Sequence, residues 1–128
     1  AHGHDDAGVI VNPLQVEGQI RGGFAQALGE TMLEAIALDE DGQLLTGSFM
    51  DYAMPRADDL PPLGLSHSET PSPMNPLGAK GVGEASTTGA PAAFMNAISD
   101  AFRPLGKTAP QMPFSAARIW EALNSRTA

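Results

Sequence analysis

Residues 16–33 read VEGQIRGGFAQALGETML, the longest segment of the chain with a regular apolar pattern. At 100° per residue, its apolar and small residues fall within about 120° of one another on a helical wheel. These residues are Val16, Ile20, Phe24, Ala27, Leu28 and Thr31, whereas Gln19, Gly22, Gln26 and Gly29 fall on the opposite side. The pattern predicts a helix over residues 16–33 with one buried stripe.

Four glycines interrupt this predicted helix, at positions 18, 22, 23 and 29. Each costs about 0.8–1 kcal/mol relative to alanine in a helix interior, so a helix that carries four of them needs a compensating reason. One reason is tight packing against another helix, with the two glutamines solvated. The other is the close approach of a ligand to the glycine and glutamine side.

The middle of the chain predicts a small antiparallel unit. Residues 34–39 and 44–52 are predicted strands, and the Asp41-Gly42 pair between them is a strong hairpin-turn signal. An irregular acidic segment rich in proline follows, and residues 65–70 are predicted as a short third strand. Pro71, Pro73 and Pro76 then favour an extended path into a glycine-rich loop.

Two further helices are predicted in the last third of the chain. Pro91 suits the first turn of a helix that ends before Pro104 and buries Phe94, Ile98 and Ala101. Ser115 is a predicted N-cap for a final helix with Ile119, Trp120 and Leu123 on its apolar side. Trp120 is predicted to pack in the core or at a subunit interface. The resulting fold class is α+β: a glycine-rich helix, a β-hairpin or small sheet, a glycine loop and two helices.

The glycine loop, residues 78–87, reads GAKGVGEAST. Its three glycines permit backbone conformations closed to other residues and leave room for a group to approach the main chain. The phosphate-binding pattern G-x-x-x-x-G-K-[ST] is not matched, because Lys80 lies inside the loop and precedes Gly83. Two interpretations remain open for Glu84. It is either a helix-start residue favoured by the helix dipole, or a carboxylate that the loop delivers to a site.

Composition excludes several classes of function. A net charge of −8 and a pI near 4.6 argue against nucleic acid and anionic membranes as partners. The chain has neither a basic and apolar signal sequence nor an apolar run approaching about 18 residues, so we expect no membrane span. Zero cysteines exclude disulfides, a thiolate nucleophile and iron–sulfur ligation within these 128 residues.

The three histidines predict no metal centre. His2 and His4 lie beside Asp5 and Asp6, where a frayed and solvated terminus is the expected state. His67 is distant in sequence and forms no recognisable ligand pair, so we expect no closed metal site made of protein ligands.

Three segments in series resemble a known family. They are DDAGVIVNP at 5–13 followed by GQIRGGFAQALG at 18–29, GQLLTGSFMDYAMPR at 42–56, and ETPSPMNPLGAKGVGE at 69–84. Their order and spacing resemble the C-terminal part of the molybdenum-binding large subunit of the xanthine dehydrogenase, aldehyde oxidase and carbon monoxide dehydrogenase family. The residues of these motifs are most similar to those of the carbon monoxide dehydrogenase-like and aldehyde-oxidising bacterial branch of the family.

The resemblance implies specific roles. Glu84 would be the base beside molybdenum, and Gln19 and Gly83 would contact the molybdopterin. It further implies a molybdopterin cytosine dinucleotide cofactor, with [2Fe–2S] clusters and FAD on partner chains, in a cytoplasmic enzyme. Such enzymes oxidise an aldehyde, an N-heterocycle or carbon monoxide with water as the oxygen source. One departure is Ala27, where many relatives have glycine.

The length sets the scope of these expectations. The family's large subunit is several times longer than 128 residues, so residues 1–128 are expected to be a single domain or fragment of a larger molybdopterin-binding domain. The chain starts with alanine and is either a fragment of such a subunit or a separately encoded piece of a split one. Two other functions stay open: a non-catalytic assembly module that packs on a larger subunit, and a free-standing acidic binding domain.

Overall fold

A computed structural model of the chain describes residues 1–125 and confirms the α+β class. The elements in chain order are strand β1 (His2–Asp6), helix α1 (Pro13–Leu28), strand β2 (Gly64–Ser68), helix α2 (Ala85–Phe102) and helix α3 (Ala116–Asn124). Helix α1 continues as a π-helical turn over Gly29–Leu33, and short 3₁₀ turns cover Ala57–Asp59 and Arg103–Leu105. No helix within residues 1–125 is long and apolar enough to cross a membrane.

Helix α1 carries the core of the chain. It begins three residues earlier than predicted because the Asn12 side chain accepts a hydrogen bond from the backbone N–H of Gln15, and Pro13 suits the first helical position. The predicted stripe is confirmed, since its central members are buried and Val16 is half-buried. Gly29 is also buried, against our assignment to the open side, because Pro55 and Glu34 pack over it.

Helix α2 packs across α1. The rings of Phe24 and Phe94 lie 5.4 Å apart between centroids at an interplanar angle of 38°. The prediction that Pro91 opens this helix is wrong: α2 begins at Ala85 and holds Pro91 in its interior, because the backbone bond from the Thr88 N–H to the Glu84 carbonyl already closes an earlier first turn.

The buried face of α2 also differs from the prediction at its C-terminal end. Phe94 and Ile98 are half-buried, as expected for residues that face α1. Ala101 is exposed, and the neighbouring Phe102 is buried instead. The last turn of the helix therefore contributes its large aromatic side chain to the core in place of the small alanine.

The start of the chain is ordered, so the prediction of a frayed terminus is wrong. Strand β1 pairs in parallel with β2, from His2 opposite Gly64 to Asp6 opposite Ser68. The third strand predicted over residues 65–70 is thereby confirmed as β2, shifted by one to two residues. The terminus is held because its backbone groups find partners along β2, including a bond from the Ala1 amine to the Pro62 carbonyl.

The predicted hairpin over residues 34–52 is reduced to one β-bridge between Leu38 and Leu44. Its turn forms as expected, since the Asp39 side chain accepts from the N–H groups of Asp41 and Gln43, and Gly42 adopts φ +81°. The flanking segments do not extend into strands because, within residues 1–125, their apolar side chains remain exposed. Turn chemistry is local, whereas a sheet needs a face to pack against.

Helix α3 is capped as predicted, with the Ser115 hydroxyl accepting from the N–H of Arg118. The prediction that Trp120 packs in the core is wrong, because this residue is 65% exposed within the described part of the chain. Its packing at a subunit interface stays a prediction. The segment before α3 is tied to α1 through the N–H of Phe114, which donates to the Thr31 carbonyl at 2.6 Å.

The buried stripe of α1 gives a stability prediction. Ile20 is 1% exposed, so Ile20→Ala should lower the free energy of unfolding by about 2–5 kcal/mol through lost burial and the cavity left behind. Leu14→Ala on the same helix is the matched control, since Leu14 is 83% exposed and its truncation should change stability by about 0.5 kcal/mol at most. Urea unfolding of both variants measures the difference. Equal losses would contradict the assigned core.

Candidate cofactor-facing site

The structure brings Gln19 of α1 next to Gly83 of the glycine loop. A methyl group built on Gly83 would lie 3.5 Å from Gln19 Oε1, which is ordinary van der Waals contact. The Gln19 side chain is exposed, and Glu84 follows Gly83 directly. Three residues that the sequence singled out, from two segments far apart in the chain, therefore lie in one neighbourhood.

Glu84 occupies the N-cap position of α2. Its carbonyl accepts hydrogen bonds from the hydroxyls of Thr87, at 2.7 Å, and Thr88, at 3.1 Å. Its side chain makes no capping hydrogen bond, and the residue is exposed. The backbone of Glu84 thus starts the helix, while its carboxylate remains open to a ligand or a proton.

Gly23 sets how closely the start of α2 approaches α1. A Cβ at this position would lie 3.2 Å from Ser86 Cβ and 3.5 Å from the Thr87 nitrogen, so an added side chain would require the start of α2 to shift by about a few tenths of an ångström. Because Ser86 is two residues after Glu84, this contact places the glutamate near α1. Packing therefore explains Gly23.

Packing does not explain Gly18 and Gly22. Within residues 1–125, no atom beyond the helix's own backbone lies within 4 Å of the Cβ position of either glycine. Both glycines are exposed, as is Gln19. The sequence left two reasons for the glycines open, helix packing and the approach of a ligand. Gly23 fits the first reason, whereas Gly18 and Gly22 leave an open surface beside Gln19.

A group of three side chains, Asp6, Thr70 and Lys80, holds the beginning of the glycine loop; we call it the Asp6 cluster. The Asp6 carboxylate accepts hydrogen bonds from the Thr70 hydroxyl, the N–H groups of Thr70 and Gly8, and Lys80 Nζ at 3.0 Å. Lys80 Nζ also donates to the Thr70 hydroxyl oxygen at 2.6 Å. Sequence reasoning missed this cluster, although its members lie inside two of the family-like segments.

These hydrogen bonds, that from the Thr70 hydroxyl most of all, hold the pKa of Asp6 well below its usual range. A carboxyl with a lowered pKa stabilises the folded state above its ordinary pKa of about 4, and this contribution disappears as the pH falls below that value. At neutral pH the Asp6 carboxylate is therefore ionised and available to hold the ammonium of Lys80.

Tyr52 and Glu34 form a second contact that the sequence did not reveal. The Tyr52 hydroxyl donates to Glu34 Oε2, and this bond raises the pKa of Tyr52 because a phenolate would lie beside a carboxylate. The pair joins the turn at residues 48–52 to the residue that caps the end of the π-helical turn. The only signal in the sequence is the position of Tyr52 in the second family-like segment.

All three histidines lie on the strands of the two-stranded sheet. Ser66 Oγ lies 3.0 Å from His2 Nε2 and 2.8 Å from His4 Nδ1, so one hydroxyl bridges the two rings. His67 Nδ1 is buried without a hydrogen-bond partner within residues 1–125. No group of three or more His, Cys, Asp or Glu residues in the described chain is arranged to hold a metal ion.

A cleft of about 430 Å³ lies between β1 and the two long helices, and Ala85 and Ser86, which directly follow Glu84, are among its lining residues. Its lining is mostly apolar or small, with Ile20, Phe24 and Phe94 on one side and residues 1–5 on the other. Neither Gln19 nor Glu84 lines it. The candidate site is instead the open surface formed by the glycines of α1, Gln19 and the glycine loop.

Comparison with known proteins defines the class to which this fold and site belong. Residues 1–61 match the family model described as the molybdopterin cofactor-binding domain. The chain also superposes on the crystal structure of quinoline 2-oxidoreductase from Pseudomonas putida 86 with a TM-score of 0.92 and 43% sequence identity. That match covers 98% of this chain and 16% of the larger one.

Two curated relatives place the chain within this class. It is 45% identical to the nicotine 6-hydroxylase large subunit of Paenarthrobacter nicotinovorans and 42% identical to the carbon monoxide dehydrogenase large chain of Afipia carboxidovorans. The matches cover 92% and 91% of this chain but 14% of each relative. The chain belongs to the family of molybdenum-binding large subunits of the xanthine dehydrogenase, aldehyde oxidase and carbon monoxide dehydrogenase type, and corresponds to a part of such a subunit.

The two kinds of glycine in α1 give a second prediction. Gly22→Ala should raise the free energy of unfolding of the chain by about 0.5–1 kcal/mol, because alanine is the better helix former and meets no neighbour. Gly23→Ala gains the same propensity but forces a methyl group to 3.2 Å from Ser86 Cβ, so its net effect should be smaller or destabilising. Chemical unfolding of the two variants tests this, and a more stable Gly23→Ala would contradict the packing role.

Proposed function

We propose that this chain supplies the active-site base of a molybdenum hydroxylase and that Glu84 is that base. The observation that carries the proposal is the proximity of Gln19 to Gly83, since a Cβ built on this glycine would lie 3.5 Å from Gln19 Oε1 and the exposed Glu84 is the next residue in the chain. The enzyme would act only as part of a larger chain or complex in the cytoplasm. Its reaction would be the oxidation of an aldehyde, an N-heterocycle or carbon monoxide, with water as the oxygen donor.

The residues on this surface fit one part of a molybdenum cofactor. Gln19 offers two N–H donors and a carbonyl acceptor, which suit the polar edge of a pterin ring. Gly18 and Gly22 leave the adjoining face of α1 open, so a flat group can approach the helix closely. A net charge of −8 does not suit the phosphates of a dinucleotide, so the rest of the subunit would bind that portion.

Each residue then has a separate task. The cofactor, when bound, supplies the two-electron oxidant and activates the oxygen that comes from water. Glu84 would accept a proton on its carboxylate during this oxidation. Gln19 orients the pterin by hydrogen bonds and transfers no proton. Gly83, which has no side chain, would leave the loop backbone beside Gln19 open to the cofactor.

Other chains would complete the enzyme. The family implies molybdopterin cytosine dinucleotide as the cofactor, with [2Fe–2S] clusters and FAD on partner subunits. Another relative, 44% identical over 97 residues, is subunit gamma of the 6-hydroxypseudooxynicotine dehydrogenase complex of Paenarthrobacter nicotinovorans, which supports a multi-subunit assembly. The chain itself has no cysteine, so iron–sulfur ligands must come from elsewhere.

A second candidate function is a non-catalytic assembly module. It is favoured by the large apolar side chains that the described chain leaves exposed, among them Phe49 at 83% and Met50 at 94%. Such side chains mark surfaces that another segment or subunit covers. Both functions require this packing, and they differ in whether Glu84 takes part in the chemistry.

Glu84→Gln tests the proposal directly. In the assembled enzyme, this variant should keep the size and shape of the side chain and lose the base, so turnover should fall by at least about 10²–10⁴-fold. Molybdenum content should stay near that of the unmodified enzyme. Steady-state turnover and metal analysis of the same preparation measure both quantities.

The matched control is Glu40→Gln, which removes a carboxylate from the exposed turn between Leu38 and Leu44 and should leave turnover unchanged. An assembly module with Glu84 as a helix-start residue gives a different result. That role predicts an active Glu84→Gln enzyme with a loss of about 0.3–1 kcal/mol in stability. Normal turnover per molybdenum would therefore remove Glu84 from the mechanism.

Gln19→Ala should lower cofactor retention more than turnover per loaded site. Its side chain would lose one or two hydrogen bonds to the cofactor, each worth a net of about 0.5–1.5 kcal/mol. Molybdenum occupancy after gel filtration, compared with turnover per molybdenum, separates the two effects. Gln15→Ala, one turn earlier on the same helix and also exposed, is the control. Full occupancy with lost turnover would show that Gln19 has another role.

A further inference from the structure

Lys80 is the one charged side chain of the glycine loop that the proposed chemistry does not use. It lies four residues before Glu84, and the segment between them contains two glycines. Within residues 1–125, no neighbouring atom lies within 4 Å of the Cβ position of Gly81. A segment of this kind does not fix its own path, so the position of Glu84 depends on what holds the loop at its two ends.

The end that follows Glu84 is held by α2. The hydroxyls of Thr87 and Thr88 both donate to the Glu84 carbonyl, and the N–H of Thr88 donates to the same oxygen at 3.2 Å. The N–H of Ala85 donates to the Val82 carbonyl at 3.3 Å. These bonds define where the helix starts, and Val82 is the one residue of the preceding Gly81–Gly83 backbone that takes part in them.

The end that precedes Glu84 is held by the Asp6 cluster and by backbone pairing. The N–H of Lys80 donates to the Ala7 carbonyl at 2.9 Å, and Ala79 forms a β-bridge with Gly8. The Lys80 ammonium then closes a ring of hydrogen bonds. It donates to Asp6 and to Thr70, and the Thr70 hydroxyl donates its one O–H to Asp6.

The cluster joins three separate segments at one carboxylate. Asp6 is the last residue of β1, Thr70 follows β2 by two residues, and Lys80 belongs to the glycine loop. The side chain of Lys80 is exposed and that of Asp6 is half-buried, so solvent partly screens their attraction. Linked hydrogen bonds of this kind hold their members in one arrangement.

We infer that Lys80 is a positioning residue, whose ammonium, held by Asp6 and Thr70, fixes the glycine loop so that the Glu84 carboxylate is presented in one place. This inference rests on the proposed role of Glu84. Lys80 would touch neither substrate nor cofactor. Without its bonds, the loop would sample several paths through Gly81 and Gly83, and the base would spend less time in its reactive position.

Lys80→Met in the assembled enzyme is the principal test, because methionine keeps much of the side-chain length and removes the charge. Turnover should fall on the order of 10–100-fold, the size expected for a misplaced catalytic group, with molybdenum content and KM little changed. Amide hydrogen exchange in residues 78–84 should become faster, whereas exchange in α1 should not. Lys107→Met is the matched control, since Lys107 bonds the carbonyls of Leu123 and Ser125 at the far end of the chain.

A double-mutant cycle shows whether Lys80 acts through Glu84. Adding Lys80→Met to Glu84→Gln should cause no further loss of turnover, because an absent base cannot be misplaced. A further loss as large as in the single variant would overturn the inference. Thr70→Val, which removes the hydroxyl at nearly constant volume, gives the same test if Lys80→Met fails to assemble.

The outcomes separate this inference from the proposed function. Unchanged hydrogen exchange of residues 78–84 in both Lys80→Met and Thr70→Val would overturn the positioning role while Glu84 remained the base. A fully active Glu84→Gln enzyme would overturn the proposed function, and the positioning role with it. Faster exchange, lower turnover and a non-additive double variant together would support it.

Discussion

The close packing of α1 on α2 at Gly23 is the contact on which the rest of the structure depends. A single missing side chain lets Ser86 approach the helix, and the Phe24 and Phe94 rings fill the space beside it. Because Gln19 lies one turn before Gly23 and Glu84 lies two residues before Ser86, core packing brings the backbones of these two residues together. The site is therefore only as well defined as the interior beneath it.

The sequence predicted those features whose cause is local. The apolar stripe of α1, the Ser115 cap and the Asp-Gly turn follow from side chains a few residues apart, and each is present. The sequence misplaces the start of α2 because proline only favours the first turn of a helix, and α2 holds Pro91 in its interior.

Features that join distant segments were beyond sequence reasoning. Nothing near His2 indicates that residues 64–68 will pair with it, and nothing near Lys80 indicates Asp6 as its partner. The candidate site shows the same division. The family-like motifs indicated Glu84, Gln19 and Gly83 one by one. That these residues lie close together, and that the Asp6 cluster holds the loop, became visible only in the three-dimensional structure. The incomplete hairpin has a related cause, since its strands lack a covering layer within residues 1–125.

The pairing of β1 with β2 has a consequence for how the chain reaches its native state. The hydrogen bond between Ser66 and His4 closes a sequence separation of 62 residues, and that from Lys80 to Asp6 closes one of 74. Contacts of such high order form slowly, because the entropy of closing a long loop is lost before the contact is gained. The segment that carries Glu84 should therefore be arranged in a late folding step, after α1 has already become helical.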